Sequence, residues 1–254
     1  MNLPRSIVLF VSFLALPLSL SVARAADAPA GAGAASCVIT PADLDAIGAA
    51  QADGFAAELA ARRALLARTI GCAKEEVQTL QDGLNSMDVA DDDETLLTQL
   101  VNKLGDAGNY YDIELAKVNG AGIAGTKAIA REVYDWRQAN YRPLAGQVAD
   151  FTLWSTNQNL FLTAATRLTQ TRNTVLFITR TAPQSDLQNA FANAEALVQA
   201  ANEKNLEAKS ALLRFLPPDE SLALIQRSLQ SLADAYKRFS DVNAIVQTLL
   251  PTDK

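Results

Sequence analysis

Residues 185–251 read SDLQNAFANAEALVQAANEKNLEAKSALLRFLPPDESLALIQRSLQSLADAYKRFSDVNAIVQTLLP, and this stretch decides the fold. Pro217, Pro218 and Asp219 form a corner in its middle, because proline cannot continue a helix. On each side of the corner, apolar residues recur in steps of three and four, the period of a buried helix face. The two stripes are Leu187, Phe191, Ala194, Val198, Ala201, Asn205, Ala208, Leu212 and Phe215, and then Leu222, Ile225, Leu229, Leu232, Tyr236, Phe239, Val242, Val246 and Leu249. The pattern predicts two helices of about thirty residues that pack as an antiparallel hairpin.

Helix start and stop signals divide the preceding residues into further helices. Thr40 and Pro41 predict the first start, and the acidic run from Asp91 to Glu94 predicts a second. The other signals are Thr126 as a third cap, Pro143 as a boundary, residues 155–159 as a polar break, Pro183 as a stop, and Ser185 with Gln188 as a capping box. We expect an all-α fold, an elongated antiparallel bundle of about five to seven helices with a long C-terminal hairpin.

The N-terminus carries the features of an export signal. Arg5 precedes an apolar run from Ile7 to Leu20, and residues 23–25 (Ala-Arg-Ala) supply the small side chains that signal peptidase needs. The run is too short for a lasting membrane span, which takes roughly twenty apolar residues. The predicted organisation is a signal peptide over 1–25, a flexible leader over 26–39 and a single α-helical bundle domain over 40–254. We expect an exported protein, periplasmic or extracellular, with no integral span after cleavage.

Composition excludes several classes of function. The formal net charge of −6 becomes −8 when Arg5 and Arg24 leave with the signal peptide, which argues against nucleic acid and anionic lipid as partners. The chain has no histidine, so it lacks the commonest general base and the Ser-His-Asp triad. Two cysteines without histidine cannot build a four-ligand zinc site within one chain. We expect a protein that is not an enzyme and that holds no cofactor and no metal.

Two motifs resemble ligand-binding motifs but have simpler structural explanations. Residues 120–127 read GAGIAGTK, which satisfies G-x-G-x-x-G and nearly matches a phosphate loop. Both motifs require a preceding β-strand, whereas Leu104 to Val118 has helical period, so a passive helix-to-helix connector is favoured. The acidic run at 91–94 lacks the alternating spacing of a calcium loop, and its attraction to the helix dipole explains it.

The richest side-chain chemistry lies between Tyr110 and Trp154. Aromatic residues interleaved with arginine and carboxylates are typical of binding clefts and protein interfaces. The alternative is an internal aromatic latch where short helices cross. The candidate ligand-binding residues are Tyr110, Tyr111, Trp136, Arg137, Tyr141, Arg142 and Trp154. Were the protein an enzyme, it would use carboxylates such as Glu114, Asp135 or Asp150, and no pair of them stands out by spacing.

The cysteines pose a geometric question. Cys37 and Cys72 are the only two in the chain, and an exported protein is expected to pair them. A straight helix over residues 41–71 would hold its ends ~46 Å apart, far beyond the roughly 7 Å between Cα atoms that a disulfide allows. The glycines Gly48 and Gly54 favour a break that folds a short first helix back. We predict that break and an intrachain Cys37–Cys72 bond.

For function, the sequence favours an exported, non-catalytic scaffold or protein-interaction module of the cell envelope, with an unidentified protein partner. The competing hypothesis is a periplasmic sensor or small-ligand-binding bundle whose pocket lies in the aromatic group. A homo-oligomer is possible, since Asn205 occupies an inner position where a buried asparagine fixes register or oligomeric state. A solvated notch between helices is an equal explanation for Asn205. Helical pore formation is disfavoured, because the chain lacks an uninterrupted apolar hairpin.

Overall fold

The computed structural model describes residue 37, residues 40–181 and residues 184–249. The predicted signal peptide and most of the leader lie outside these residues. The helices are α1 (Pro41–Ala52), α2 (Phe55–Asn85), α3 (Glu94–Val118), α4 (Ile123–Trp136), α5 (Arg142–Thr181), α6 (Ser185–Leu213) and α7 (Pro218–Leu249). A 3-10 turn (Asp91–Asp93) precedes α3, and a π turn (Arg137–Tyr141) joins α4 to α5. No strand occurs in the described part of the chain, so the predicted all-α bundle is confirmed.

The C-terminal hairpin forms as the apolar stripes predict. α6 and α7 pack against each other more extensively than any other pair of helices. At the corner, the Leu216 amide donates to the Ala211 carbonyl at 3.1 Å and the Phe215 amide to the Leu212 carbonyl at 3.0 Å, the two bonds of a Schellman cap. Phe215 occupies the left-handed position of that cap with a φ of 52°. Proline then blocks further helix, so the chain reverses into α7.

The two stripes differ in how closely they follow the prediction. In α6, the predicted inner residues from Leu187 to Leu212 are buried, including Asn205. In α7, Ser221 and Ser228 are buried instead of Leu222 and Leu229, which are half-buried. The serines point inward because each has a polar partner there, as described below.

The N-terminal break and the disulfide are both present. α1 ends at Ala52, Gly54 adopts a φ of 111° that favours glycine, and α2 begins at Phe55. The backbone amide of Thr40 donates to the Asp43 carboxylate at 2.7 Å, as a capping residue should. α1 therefore lies back along α2, and Cys37 is bonded to Cys72 with 5.3 Å between their Cα atoms.

Three predicted helix start or stop signals are wrong. α4 begins at Ile123 with Gly122 as its cap, and the predicted cap Thr126 lies inside the helix with its hydroxyl donating to the Ile123 carbonyl. Pro143 does not interrupt the helical path, because the π turn ends two residues before it. A wider turn leaves room for the proline ring that would clash with a carbonyl in a regular α-helix. The capping box at Ser185 is also wrong, since Gln184 is the cap and Ser185 is already helical.

The predicted polar break at residues 155–159 is wrong for a different reason. α5 runs through it without interruption. Asn157 is completely buried there, and its amide donates to Asn205 Oδ1 and to Ser228 Oγ, both at 2.9 Å. Ser228 in turn donates to the Ala201 carbonyl at 2.8 Å. The buried polar side chains of this stretch form a polar layer that links three helices. The local sequence pattern of such a layer is the same as that of a polar loop.

This polar layer separates two parts of the molecule. The proximal block, residues 55–159 and 205–228, encloses the largest core, built from leucines and aromatic side chains of α2 to α7. The distal arm, residues 160–181, 184–204 and 229–249, consists of α5, α6 and α7 alone and has two smaller cores. Among the described helices, none combines the length and the apolarity needed to span a bilayer.

Candidate functional site

An aromatic cluster forms where α3 meets the π turn. Tyr110 of α3 stacks on Trp136 with ring centroids 3.9 Å apart and an angle of 13° between the planes. Tyr111 makes edge contacts with Trp136 at 5.5 Å and with Tyr141 at 6.2 Å. Tyr111 and Tyr141 are fully buried, whereas Tyr110 and Trp136 are half-buried. The rings thus contact one another, and the cluster is one packed unit.

The π turn places Tyr141 in this cluster. α4 buries Thr126, Ile129 and Val133 on one face. At 100° per residue, a regular α-helix would turn Tyr141 about 80° away from Val133. Because each residue of a π turn advances less around the axis, the offset falls and Tyr141 lies against α3. The irregular turn therefore has a clear packing consequence.

Arg137 ties the cluster to α2. Its guanidinium lies 4.7 Å from the centre of the Tyr141 ring and donates to the Tyr111 hydroxyl at 3.4 Å. It also forms an ion pair with Glu76 of α2. Burial works to lower the pKa of Arg137, but the bonds to Glu76 and Tyr111 outweigh burial and raise it. A permanently charged guanidinium thus joins α2, α3 and the π turn.

The cluster is not equipped for acid-base chemistry near neutral pH. Burial raises the pKa of Tyr110 to about 12, with the negative charges of Glu114 and Glu132 adding to the effect. Burial also raises the pKa values of Tyr111 and Tyr141. All three phenols are therefore neutral at physiological pH and can only donate or accept hydrogen bonds.

Beside the cluster lies a buried carboxylate. Glu114 is 1 % exposed, and one of its oxygens accepts a hydrogen bond from Lys117 Nζ at 2.6 Å. This bond is the main reason why the pKa of Lys117 is raised. Within the described residues, the other carboxylate oxygen, Glu114 Oε2, and the Tyr110 hydroxyl have no hydrogen-bond partner. In the part of the chain that the structure describes, the Tyr141 hydroxyl has no partner either, so the cluster contains several buried polar atoms to which a bound molecule could form hydrogen bonds.

The structure brings together five of the seven predicted site residues: Tyr110, Tyr111, Trp136, Arg137 and Tyr141. Arg142 is exposed and donates to Gln138 of the preceding turn, so it lies outside this cluster. Trp154 also lies outside the cluster, because it packs on Phe151 and donates to the Asn205 carbonyl at 3.0 Å. Sequence reasoning missed Glu76, whose role depends on the packing of α2 and has no local signal.

Trp154 lies beside a second group of charged side chains in the proximal block. Lys209 of α6 lies 5.7 Å from the Trp154 ring centre and forms an ion pair with the buried carboxylate of Asp93. Asp93 is part of the acidic run for which the sequence offered a calcium site as the lesser explanation. Here that carboxylate is paired with an ammonium group, and it links the start of α3 to α6.

The other candidate chemistry has structural partners as well. Residues 120–127 follow helix α3 and no strand, and Arg63 donates to the Ala121 carbonyl at 2.9 Å. Cys37, Cys72 and Glu75 bring ligand atoms within 4.8 Å of one another. The two sulfurs are joined in a disulfide, so they offer no thiolates to a metal ion.

The three carboxylates considered for catalysis have separate partners. Asp135 is exposed and lies 3.8 Å from Arg131, whereas Glu114 pairs with Lys117 as described. Asp150 is buried and accepts a hydrogen bond from Ser221. Burial raises the pKa of Asp150, the Ser221 bond opposes that effect, and the charge of Asp219 adds to it. Their separate partners give no indication of a catalytic pair.

Comparison with protein-family models, with curated proteins and with solved structures found no match to this chain.

Proposed function

We propose that this protein is an exported, non-catalytic interaction module of the cell envelope, and that the outer face of α5 in the distal arm is its binding surface. The observation that carries the proposal is the run of exposed apolar side chains on that face. Leu162, Leu176 and Phe177 are 54 %, 49 % and 52 % exposed. Leu176 and Phe177 are adjacent and Leu162 lies roughly 21 Å before Leu176 on the same helix, and apolar residues that share one exposed face are the kind of surface that a partner covers.

The threonines between these residues support the same function. Thr163, Thr166 and Thr169 donate their hydroxyls to backbone carbonyls four residues earlier, at 2.9, 3.0 and 3.1 Å. Because those hydroxyls are already bonded within the helix, covering them with a partner costs little desolvation. What the face offers to a partner is mainly methyl groups.

The opposite side of the arm has a different character. α7 there carries the ion pairs Asp234–Lys237 and Arg238–Asp241, both between exposed side chains. Such charged pairs are typical of a surface that stays in water. The contrast between the two sides supports α5 as the face that is covered in use.

The aromatic cluster fits a structural role within this function. Its rings and Arg137 contact one another and join three segments of the proximal block. We assign it the role of the latch considered above, which holds the base from which the arm projects.

The test is site-specific photo-crosslinking in the native envelope. A photoreactive amino acid at Thr166 should give protein adducts, because that position is exposed in the middle of the face. The matched control is Ser240, an exposed small residue on α7 of the same arm. Adducts at Thr166 and not at Ser240 are expected. Adducts at neither position, or equally at both, would contradict the proposal.

Ligand binding at the aromatic cluster is a second candidate, favoured by the unsatisfied Tyr110 hydroxyl and Glu114 oxygen. An aromatic face beside a buried carboxylate suits a small organic cation. If this function holds, tetramethylammonium should raise the thermal midpoint of the wild type and not that of Glu114→Gln. Glu132→Gln, which changes an exposed neighbour, should keep the response. An equal response in all three proteins, or none, would exclude this site.

A further inference from the structure

The exposed face of α5 has a heptad pattern of its own. Leu162, Thr166, Thr169, Asn173 and Leu176 follow one another in steps of four, three, four and three, and all five are exposed. We call these residues the outer seam. Steps of this kind place side chains along one line of a helix, as in the contact seam of a coiled coil. The helix therefore carries two stripes, one buried in the arm and one facing outward.

The outer seam is free of charge in an acidic protein. Residues 151–181 contain no aspartate or glutamate and only three arginines. Arg167 turns toward the Tyr236 ring at 4.9 Å, and Arg172 pairs with Glu195. Since the whole chain has a net charge of −6, two copies repel each other over most of their surface. The five residues of the outer seam are uncharged, so they add nothing to that repulsion.

The seam is also symmetric about its middle residue. Leu162 and Leu176 each lie seven residues from Thr169, and Thr166 and Asn173 lie three and four residues from it. In an antiparallel pair of identical helices with the two-fold axis at Thr169, Leu162 of one copy therefore meets Leu176 of the other. Thr166 and Asn173 lie opposite each other to within one residue, because their distances from the axis differ by one. A two-fold interface requires this self-complementarity.

Charge at the ends of the seam favours the antiparallel direction. A parallel pair would place Arg180 against Arg180 of the other copy, a like-charge contact. In the antiparallel pair, Arg180 instead lies opposite Gln158 and next to Asn159, and both of these residues are uncharged. The direction and the register thus follow from the same few residues.

We propose that a second copy of this chain binds the outer seam, as an antiparallel dimer with its two-fold axis at Thr169. This inference rests on the proposed function, because it names the partner of the same face. From Asn159 to Arg180 the face is ~32 Å long, and a strip about 10 Å wide along it covers roughly 300 Å². Stable interfaces bury roughly 800 Å² on each partner. The dimer is therefore a weak one that forms with increasing concentration.

The test is cysteine crosslinking of the purified mature protein. The native cysteines are bonded to each other, and no free cysteine is present in the described part of the chain. Thr169→Cys should give a covalent dimer with a short thiol crosslinker, because the axis brings the two positions together. Leu162→Cys and Leu176→Cys should crosslink when the two variants are mixed, and each poorly alone. Ser240→Cys, away from the seam, is the matched control and should stay monomeric.

A second measurement keeps the proposal testable without cysteines. Sedimentation of the wild type across micromolar concentrations should show reversible dimerisation, and Leu162→Glu should weaken the dimer by about tenfold or more. The position is exposed, so the fold should tolerate the change. Crosslinking of Leu162→Cys to itself as strongly as to Leu176→Cys would overturn the antiparallel register. A wild type that stays monomeric would overturn the dimer.

These outcomes separate the dimer from the function on which it rests. If the photo-crosslinker at Thr166 captures a different protein while no cysteine variant dimerises, the face binds proteins but not a second copy. If Thr166 gives no adduct and no dimer forms, both proposals fail.

Discussion

The proximal block and the distal arm are built by different kinds of packing. In the block, large side chains such as Leu104, Tyr111 and Phe151 are completely buried between several helices. In the arm, alanines fill the corresponding positions, among them Ala164, Ala201 and Ala235. Small residues let three helices approach closely, but they remove less apolar surface from water. The comparison predicts that the block sets the stability of the protein and that the arm opens first.

The largest expected effect compares the same substitution in the two parts. Leu104→Ala in the block and Leu187→Ala in the arm each remove a leucine that is 0 % exposed. Leu104→Ala should cost about 4 to 5 kcal/mol of unfolding free energy and Leu187→Ala about 2 to 3, because the end of the arm can collapse into the gap. Chemical denaturation followed by far-UV circular dichroism measures both. Equal costs would mean that the arm is as rigidly packed as the block.

The second prediction concerns the disulfide, which joins Cys37 to Cys72 of the proximal block and has no part in the distal arm. Cys37 and Cys72 are 35 residues apart in the sequence, and closing a loop of that size stabilises a protein by about 3 to 4 kcal/mol. The Cys37→Ser, Cys72→Ser double variant should lose that amount, and amide exchange should accelerate in α1 and α2. In the arm segments of α6 and α7, amide protection should fall only by the amount that the lower global unfolding free energy explains. Faster local opening confined to the arm would contradict the separation of the two parts.

The third prediction tests the polar layer at the boundary. Asn157→Ala leaves Asn205 and Ser228 without their buried partner, which should cost about 1 to 3 kcal/mol. Asn159→Ala, two residues later on the exposed side of α5, is the matched control and should change stability by less than about 0.5 kcal/mol. Thermal unfolding gives the comparison directly. If the two variants are equally stable, the layer contributes no stability, and its proposed link between the helices fails.

The smallest expected effect is a difference in pH dependence. Burial raises the pKa of Asp150 in the block above the ordinary 3.8, so the folded protein holds this proton more tightly than the unfolded chain. Its contribution to stability is therefore largest in acid and falls as pH rises from 3.8 through the raised value. Asp150→Asn should flatten that fall in a series of thermal midpoints.

Asp234 on the arm should behave in the opposite way. Hydrogen bonds from Lys237 and Gln230 lower the pKa of Asp234, so its contribution is present above pH 3.8 and is lost as pH falls through the lowered value. Asp234→Asn should flatten the loss in acid. The same sign of change in both variants would show that one of the two environments is misassigned.

The sequence predicted most of the fold because the strongest signals were local. Steps of three and four in α6 and the two prolines at the corner specify a hairpin with no knowledge of other elements. The break at Gly54 was also predictable. An exported protein is expected to pair its two cysteines, and a straight helix would have held Cys37 too far from Cys72 to bond. Pro143 was misread because the π turn that accommodates it leaves no pattern in the sequence. Residues 155–159 were misread because the partners of Asn157 lie on other helices.

The sequence predicted which residue types form the candidate site, but it did not predict which of them contact one another. The density of aromatic residues located five side chains that do meet. The same criterion added Arg142 and Trp154, which lie elsewhere, because sequence proximity does not specify which helix face a residue occupies. Glu76 could not be found, since its contact with Arg137 exists only after α2 packs beside the π turn.

α4, the π turn and α5 form one unbroken helical path, so the π turn is connected to the far tip of the arm through a single helix. From Tyr141 to Arg180, α5 rises ~58 Å. A change of about 10° in the bend at the π turn would therefore displace the far tip by roughly 10 Å, since such turns are where helices change direction. Tyr141 and Arg137 fix the packing of the π turn. Because residues 142–159 of α5 pack in the proximal block, such a displacement requires that segment to shift within the block together with Tyr141 and Arg137.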